Sequence, residues 1–230
     1  MLNLFFGQIP LLDQLAFAWF ILAWAGYGWF AEQGERAKQG LVGLGHLHRL
    51  QWARQLLARE VRIVDASLIG NLMSSVSFYA NTTIYIIAGI FAVLGTLDKW
   101  VSVAAGLPFG HPASRDLLEL KLLLLSGTFI FAYFKFTWSL RQFNLLSIVI
   151  GAAPTGSTSD PAIERYAQKI AAVNTDAGDE FNRGIRAYYF GLAALTWIIN
   201  PSLCLILTTA IIVVLYRRDF ASSTRKVLAE

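Results

Sequence analysis

The sequence predicts an all-α, polytopic membrane protein, and three observations lead to this fold class. Hydrophobic residues make up 56% of the 230-residue chain, charged residues only 15%, and the mean hydropathy is +0.52, which is too apolar for a soluble domain of this length. Four stretches are long and apolar enough to cross a bilayer as helices. Lys and Arg cluster between these stretches. We therefore expect about four transmembrane helices with cytoplasmic helical extensions, in a single membrane domain over residues 1–230.

The four expected spans cover residues 11–30, 68–94, 117–140 and 185–216. Each holds about 20 or more mostly apolar residues, enough to cross a hydrocarbon core about 30 Å thick. No Lys or Arg precedes the first span, so it lacks the basic segment that begins a secretory signal peptide. We expect the first span to be retained in the bilayer.

In the fourth span, Asn200 and Pro201 fall near the middle of the membrane. Proline has no amide hydrogen and leaves a carbonyl one turn earlier without its donor, which favours a kink in one continuous helix. The alternative is a hinge or a broken, ligand-binding segment to which Asn200 contributes its side-chain amide. The sequence leaves both interpretations open.

Basic residues in the connections predict the orientation of the chain, because cytoplasmic loops retain Lys and Arg. The connections after the first and third spans carry Arg36, Lys38, Arg49, Arg54, Arg59 and Arg62, and Arg141, Arg165, Lys169, Arg183 and Arg186. We expect both connections to be cytoplasmic and the amino terminus to be outside. With four spans, the basic tail after residue 216 would also lie outside, which disagrees with the same rule. Either the tail is an exception or one span is miscounted.

Two cytoplasmic helices are expected beside the spans, over about residues 46–67 and 161–173. The first is apolar on two opposite faces, so we expect protein on both sides of it, and we expect it to continue into the second span with Asp65 at the junction. The second has Asp160 as its N-cap and Pro161 in its first turn. A further helix, capped at Thr175 or Asp176, should then lead into the fourth span.

A polar stripe runs along the second span. At 100° per residue its members fall within a sector of about 120°. They are Asn71, Ser74, Ser75, Asn81, Thr82 and Tyr85. Lipid cannot satisfy amides and hydroxyls, so the stripe must face other helices or water. It either holds helices together or lines a path for ions or small solutes at the centre of an oligomer.

A second stripe lies on the third span, where polar residues recur every seven positions. Its members are Lys121, Thr128, Lys135 and Gln142. Lys135 can be interpreted as a snorkelling residue whose ammonium reaches the headgroups next to Trp138 and Arg141. Alternatively, the two lysines face a helix bundle or an aqueous cavity and attract anions.

Enzymatic functions find little support in the sequence. No Asp or Glu lies in the middle of an expected span, and no catalytic, phosphate-binding or metal-binding motif is present, so we expect no catalytic residue, metal or cofactor. His46 and His48 point about 200° apart on a helix and cannot share a metal there. Asp13 and Asp65, near span ends, are the only carboxylates that could serve a proton-coupled carrier. The arginines of the first connection suit headgroups or solvent, and no nucleic-acid partner is expected.

The chain resembles a known family, most strongly over residues 59–98, which read REVRIVDASLIGNLMSSVSFYANTTIYIIAGIFAVLGTLD. This segment is similar to the signature of an integral membrane family of bacteria and plants, catalogued as domain of unknown function 599. The resemblance covers nearly the whole chain. It implies a multi-pass membrane protein, which we expect in a bacterial inner membrane, and it implies no activity and no functional residue.

Two functions of different classes remain. The first is a homo-oligomeric ion channel or facilitator lined by the second span, biased toward anions by Lys135 and by the arginines of the cytoplasmic helix. The second is a non-catalytic subunit or assembly factor whose polar stripe binds partner membrane proteins. The oligomeric state separates the two, because only the first requires the second span at the axis of a symmetric ring.

Overall fold

The structure is a computed structural model, and it describes residues 9–33, 38–100, 114–156 and 160–229. Nearly all of these residues are helical, and the described ranges contain no strand. The helices are α1 (Leu11–Glu32), α2 (Leu41–Ala58), α3 (Ile63–Gly95), α4 (Arg115–Gly151), α5 (Pro161–Ile199), α6 (Pro201–Phe220) and α7 (Ser223–Leu228). Three of them, α1, α3 and α4, are long and apolar enough to cross a membrane. The predicted all-α membrane fold is confirmed.

The longest apolar helix, α4, packs on α3 and α5 and runs antiparallel to both. At its middle, the ring of Phe136 is fully buried and contacts Tyr79 of α3 and Phe181 of α5, with ring centroids 5.6 and 5.7 Å apart. Near its end, the hydroxyl of Tyr166 in α5 donates to the carbonyl of Val149 at 2.9 Å. Helix α5 in turn contacts α1, α2 and α6, so the core of the molecule lies along the α4–α5 pair.

The fourth expected span is not one kinked helix. The chain reverses at Asn200, whose backbone is extended (φ −157°, ψ 131°) and whose side-chain oxygen accepts a hydrogen bond from the amide of Ser202 at 2.8 Å. Pro201 is the first residue of α6. Tyr189 of α5 and Arg218 of α6 are in contact, which shows that the two helices fold back on each other. Of the two interpretations that the sequence left open, the kink in one continuous helix is wrong and the helix is broken at Asn200, because an Asn N-cap followed by proline can start a new helix.

Helix α6 lies beside α1 and points in the same direction. The indole of Trp19 donates to Thr209 at 3.1 Å, and eight residues later the hydroxyl of Tyr27 donates to Asp219 at 2.6 Å. The end of α5 also packs on α1, through Trp197 and Asp13. A bilayer that α1 crosses would therefore also surround α6 and the end of α5. Residues 185–216, expected as one span, therefore run along the bundle twice, as the end of α5 and as α6.

This hairpin brings the basic tail to the same end of the bundle as the two basic connections. The guanidinium of Arg225 donates to the carbonyl of Gln39 at 2.7 Å. Among the described Lys and Arg residues, only Lys99, Arg115 and Lys121 lie toward the opposite end, while the expected cytoplasmic residue Arg36 lies outside the described ranges. We call the first end the basic end. The disagreement between the tail and the orientation rule is thereby removed.

Helix α2 ends at Ala58 and does not continue into α3, contrary to the helix expected over residues 46–67. Charged side chains stabilise the turn between the two helices. Trp52 and Arg59 both donate to the buried carboxylate of Asp65, at 2.9 and 2.7 Å. Arg62 donates to the carbonyl of Ala153 at 2.7 Å, just after the end of α4. These bonds favour a reversal over a continuous helix, because a continuous helix would separate the partners.

Helix α5, by contrast, is continuous over Pro161–Ile199, so the helix expected to end near residue 173 and the second cap at Thr175 or Asp176 were both wrong. Its start was predicted correctly, since the Asp160 side chain accepts from the amide of Ala162 at 2.8 Å. The polar stretch after residue 173 stays helical because tertiary contacts satisfy it. For example, Ser139 of α4 donates to the carbonyl of Ala177 at 2.7 Å.

The close approach of α4 and α5 depends on glycine at position 184. A Cβ atom there would lie 2.4 Å from the ring of the fully buried Phe136. We expect Gly184→Ala to destabilise the protein by about 1–3 kcal/mol, because the ring has no free space to enter. Gly127→Ala is the matched control in α4, since a Cβ there meets nothing within 4 Å. Thermal unfolding of detergent-purified protein, followed by tryptophan fluorescence, measures both. Equal unfolding midpoints for the two variants would contradict this packing.

Candidate functional site

A buried ion pair joins three helices at the end of the bundle opposite the basic end. The Lys121 ammonium of α4 lies 2.8 Å from Oδ1 of Asp13 in α1, and both side chains are 1% exposed. The indole of Trp197 in α5 donates to the same oxygen at 2.9 Å, and the ammonium lies 5.4 Å from the centroid of its ring. Oδ2 of Asp13 is buried without a hydrogen-bond partner among the described residues. Neither charge is available to a passing ion while the pair is formed.

A charge cluster of five residues occupies the middle of the bundle toward the basic end. It consists of Glu32, Lys135, Glu180, Arg183 and Arg186. Lys135 of α4 pairs with Oε2 of Glu180 at 2.9 Å. Arg183 pairs with Glu32 at 2.7 Å and also with Glu180, while Arg186 bonds the other oxygen of Glu32. The cluster therefore ties α1, α4 and α5 together through alternating charges.

Lys135 faces the helix bundle and borders a cavity of about 510 Å³, in line with the second interpretation of the sequence. Its charge is not free to attract anions, however, because Glu180 neutralises it. Arg115, 20 residues or about 30 Å earlier along α4, pairs with Asp98 at 2.8 Å. Both ends of this stretch of α4 are therefore ion-paired.

The predicted stripe on the second span lies on the outer surface of the chain. Its members Asn71, Ser74, Ser75, Asn81 and Tyr85 are exposed and Thr82 is half-buried. Tyr85 is 77% exposed. The hydroxyls of Ser75 and Thr82 donate to carbonyls of their own helix, at 3.0 and 2.8 Å, and the amides of Asn71 and Asn81 have no hydrogen-bond partner within the described ranges. The other side of α3 packs on α4.

Small residues extend the same outer face of α3. A Cβ atom at Gly89 would meet no atom within 4 Å, and Gly89 lies at nearly the same helical angle as Asn71. Ala92, one turn further, is exposed. Phe78, which is 66% exposed, lies within the same sector, so the face also contains an aromatic ring. Packing within this chain does not explain the small and polar residues around it.

The two predicted stripes do not meet in one chain. Lys121 and Thr128 are buried in the interior, where the Thr128 hydroxyl donates to the carbonyl of Leu124 at 2.8 Å, and Lys135 faces α5. The stripe of α3 points away from them into the surroundings. Asn200, the last candidate, caps α6 in the α5–α6 turn. A single chain thus offers no path lined by both stripes.

Comparison with known proteins identifies a family. A family model described as "Protein of unknown function, DUF599" matches residues 15–224. The chain belongs to this family. Neither the curated proteins nor the solved structures contain a match. Membership in the family confirms the resemblance seen in the sequence and assigns no chemistry to the charge cluster or the ion pair. Within the described ranges, no group of three or more His, Cys, Asp or Glu side chains is placed to hold a metal ion.

Partners of the buried charges were missed at the sequence level, although a signal for one of them was present. Helices α4 and α5 are consecutive and antiparallel, and residue 135 lies level with residue 180, so this hairpin alone pairs Lys135 with Glu180. That signal was hidden because the sequence analysis divided α5 into two helices, with a break between residue 173 and a new cap at Thr175 or Asp176. Lys121 and Asp13 are 108 residues apart, and no local pattern joins them.

We expect Lys121→Met to destabilise the protein by about 3–5 kcal/mol, because it leaves the Asp13 carboxylate buried without a counter-charge. The double variant Asp13→Asn, Lys121→Met should recover most of this loss, since the amide still accepts from Trp197 and no charge remains. Lys169→Met, at an exposed position of α5, is the matched control. Thermal unfolding in detergent measures all three. A double variant no more stable than the single one would show that the pair does not hold the helices.

Proposed function

We propose that this family member assembles with copies of itself through the outer face of α3, and that the assembled α3 faces line a path for ions or small polar solutes. The observation that supports this function is the row of small and polar side chains on the outer surface of a membrane-spanning helix. We refer to this surface, which runs from Asn71 to Ala92, as the α3 face.

Exposure of this face to lipid would be costly. An amide transferred from water to an apolar medium without a hydrogen bond loses about 2–7 kcal/mol, and the α3 face carries two such amides, at Asn71 and Asn81. A carboxamide is both a donor and an acceptor, so the same residue on two chains can form a pair. Gly89 and the serines allow the helices to approach closely. A second copy of this chain therefore satisfies the face without any other partner.

The charge preference of such a path does not come from the lysines of α4. Lys121 faces Asp13 and Lys135 faces Glu180, each within 3 Å, so neither adds a free positive charge to the surface of α3. The α3 face itself carries hydroxyls and amides, which suit cations, anions and neutral polar solutes alike. We therefore propose the path without a preference for anions.

A second candidate function is that of a non-catalytic subunit or assembly factor that binds another membrane protein. One observation favours it. Ser75 and Thr82 donate to carbonyls of their own helix and need no water or ion to be satisfied, as in dry contacts between membrane helices. In this case the α3 face packs against a partner's helix and no solute passes.

Cross-linking tests the self-assembly. In a Cys204→Ala background, we expect Ser74→Cys on the α3 face to form disulfide dimers in the membrane under mild oxidation, because two copies of α3 would lie side by side. Ile206→Cys on α6 is the matched control, since it is 65% exposed but lies on an apolar face. Gel electrophoresis without reductant measures the dimer. Equal cross-linking at both positions, or none at either, would argue against assembly through α3.

Conductance separates the two candidate functions. Purified protein in liposomes should carry current or solute flux if copies of α3 line a path, and Asn81→Leu should reduce it by removing a polar group from that path. A protein that cross-links through Ser74→Cys but shows no flux under several voltages and solutes would leave the assembly in place and favour the subunit function.

We further propose that the basic end faces the cytoplasm of a bacterium, because basic residues are retained there. In the Cys204→Ala background, an impermeant maleimide added to intact cells should label Lys99→Cys but not Gln39→Cys or Ser223→Cys. The latter two should react only after permeabilisation, which also shows that both are accessible to the reagent. Labelling of Ser223→Cys in intact cells would contradict the antiparallel α5–α6 hairpin in the membrane.

A further inference from the structure

A cavity of about 310 Å³ lies at the basic end, between α2, α5, α6 and α7. Its polar lining includes Arg49, Asn182, Arg186, Tyr189, Arg218 and Asp219. This volume is at the lower end of the range for small-molecule sites. The proposed function does not use this cavity, since it lies away from the α3 face.

Arg49 is held against helix α5 with part of its guanidinium unsatisfied. A Cβ atom at position 178 would lie 2.0 Å from Nη2 of Arg49, so Gly178 is what allows the guanidinium to lie against the helix. Nη1 of Arg49 is buried without a hydrogen-bond partner among the described residues, and its closest carboxylate oxygen, on Asp179, is 3.8 Å away. Asp179 is also bonded to His46 at 3.0 Å. Burial lowers the pKa of Arg49, and Asp179 opposes this shift only in part.

The other two arginines are fixed in place by neighbours. The Arg186 side chain is only 10% exposed and bonds Glu32 through Nη2. Arg218 donates to the hydroxyl of Tyr189 and stacks over its ring, with 5.4 Å from the guanidinium carbon to the ring centroid. These contacts use only part of the donor capacity of each group, because a guanidinium has five N–H donors.

Among the described lining residues of the cavity, positive charge exceeds negative charge, although Arg49 and Arg186 also pair with Asp179 and Glu32, which lie outside the lining. Of its described lining residues, only Asp219 is acidic, and one of its oxygens already accepts the hydrogen bond of Tyr27. Three guanidinium groups therefore surround a cavity that offers a single carboxylate. An anion in the cavity would accept hydrogen bonds from guanidinium N–H donors that these contacts leave free.

We propose that this cavity binds a phosphate or phosphomonoester group. The planar forks of arginine match the oxygens of phosphate in pairs, and the amide of Asn182 provides a further donor. Helix α6 is apolar until Tyr216 and becomes basic at Arg217, so the cavity lies where the bilayer meets water. A soluble phosphate can enter it from the basic side, and the phosphomonoester headgroup of a lipid can enter it from the adjacent leaflet. The chemistry recognised is the same in both cases.

Two binding experiments on the full-length protein, one in detergent and one in nanodiscs, test the proposal. In the first, inorganic phosphate is titrated by calorimetry. In the second, the protein in nanodiscs of phosphatidylcholine is compared with protein in nanodiscs that also contain phosphatidate, using the rise of the unfolding midpoint. We expect saturable binding in at least one arm, and the arm in which it occurs identifies the soluble or the lipid source.

Matched variants show whether the arginines of the cavity are responsible. Arg49→Gln and Arg218→Gln should each weaken binding about tenfold or more, because each removes a charge-assisted hydrogen bond. Arg165→Gln removes one exposed positive charge from α5 away from the cavity and should leave binding unchanged. Gel filtration and the unfolding midpoint without ligand establish that each variant is folded, and Arg218→Gln carries the test if Arg49→Gln is not. Absence of saturable binding in both arms, or equal affinity in all three variants and the unmodified protein, would overturn the proposal.

Discussion

Charged side chains inside the bilayer-thick part of the bundle must find their partners within the same chain, and this constraint determines how the helices meet. A single charge in hydrocarbon is far more costly than a pair. Lys121 of α4 is paired with Asp13 of α1, and Lys135 of α4 is paired with Glu180 of α5. The aromatic and glycine contacts between these two levels can then close to van der Waals distance. The resulting order of the helices leaves one side of α3 without a neighbour.

The sequence predicted the fold class, the cores of three spans and the cap at Asp160, because these depend on local composition and hydrogen bonding. It did not predict features that depend on partners far along the chain. The turn after α2 depends on the hydrogen bond from Arg62 to the carbonyl of Ala153. The continuity of α5 depends on contacts such as the hydrogen bond from Ser139 to the carbonyl of Ala177. At Asn200 the sequence pattern was ambiguous, because Asn followed by proline can either cap a new helix or kink a continuous one. The basic tail was the one clue that favoured the reversal.

The candidate residues show a similar division. Helical periodicity placed the members of the α3 face together, and the structure has them on one surface. Periodicity gives the angles between residues on a helix, however, and does not say which side faces the rest of the chain. In a membrane the usual guide is lost as well, because apolar side chains suit both the lipid and the core. The polar residues of α3 could therefore be grouped from sequence, while their exposure could not. The arginines around the cavity come from three helices and form no pattern in the sequence.

The α5–α6 hairpin also has a consequence for how the protein enters the membrane. Neither helix is among the three that are apolar enough to cross on their own. The final turns of α5 are nevertheless completed by Asp13 of α1, which accepts the indole hydrogen of Trp197, and α6 packs along the whole of α1. We therefore expect α1, α3 and α4 to insert first and to form a template on which the hairpin inserts as a unit. In this order, insertion of the hairpin into the membrane would also complete the packing of α5 and α6 on α1.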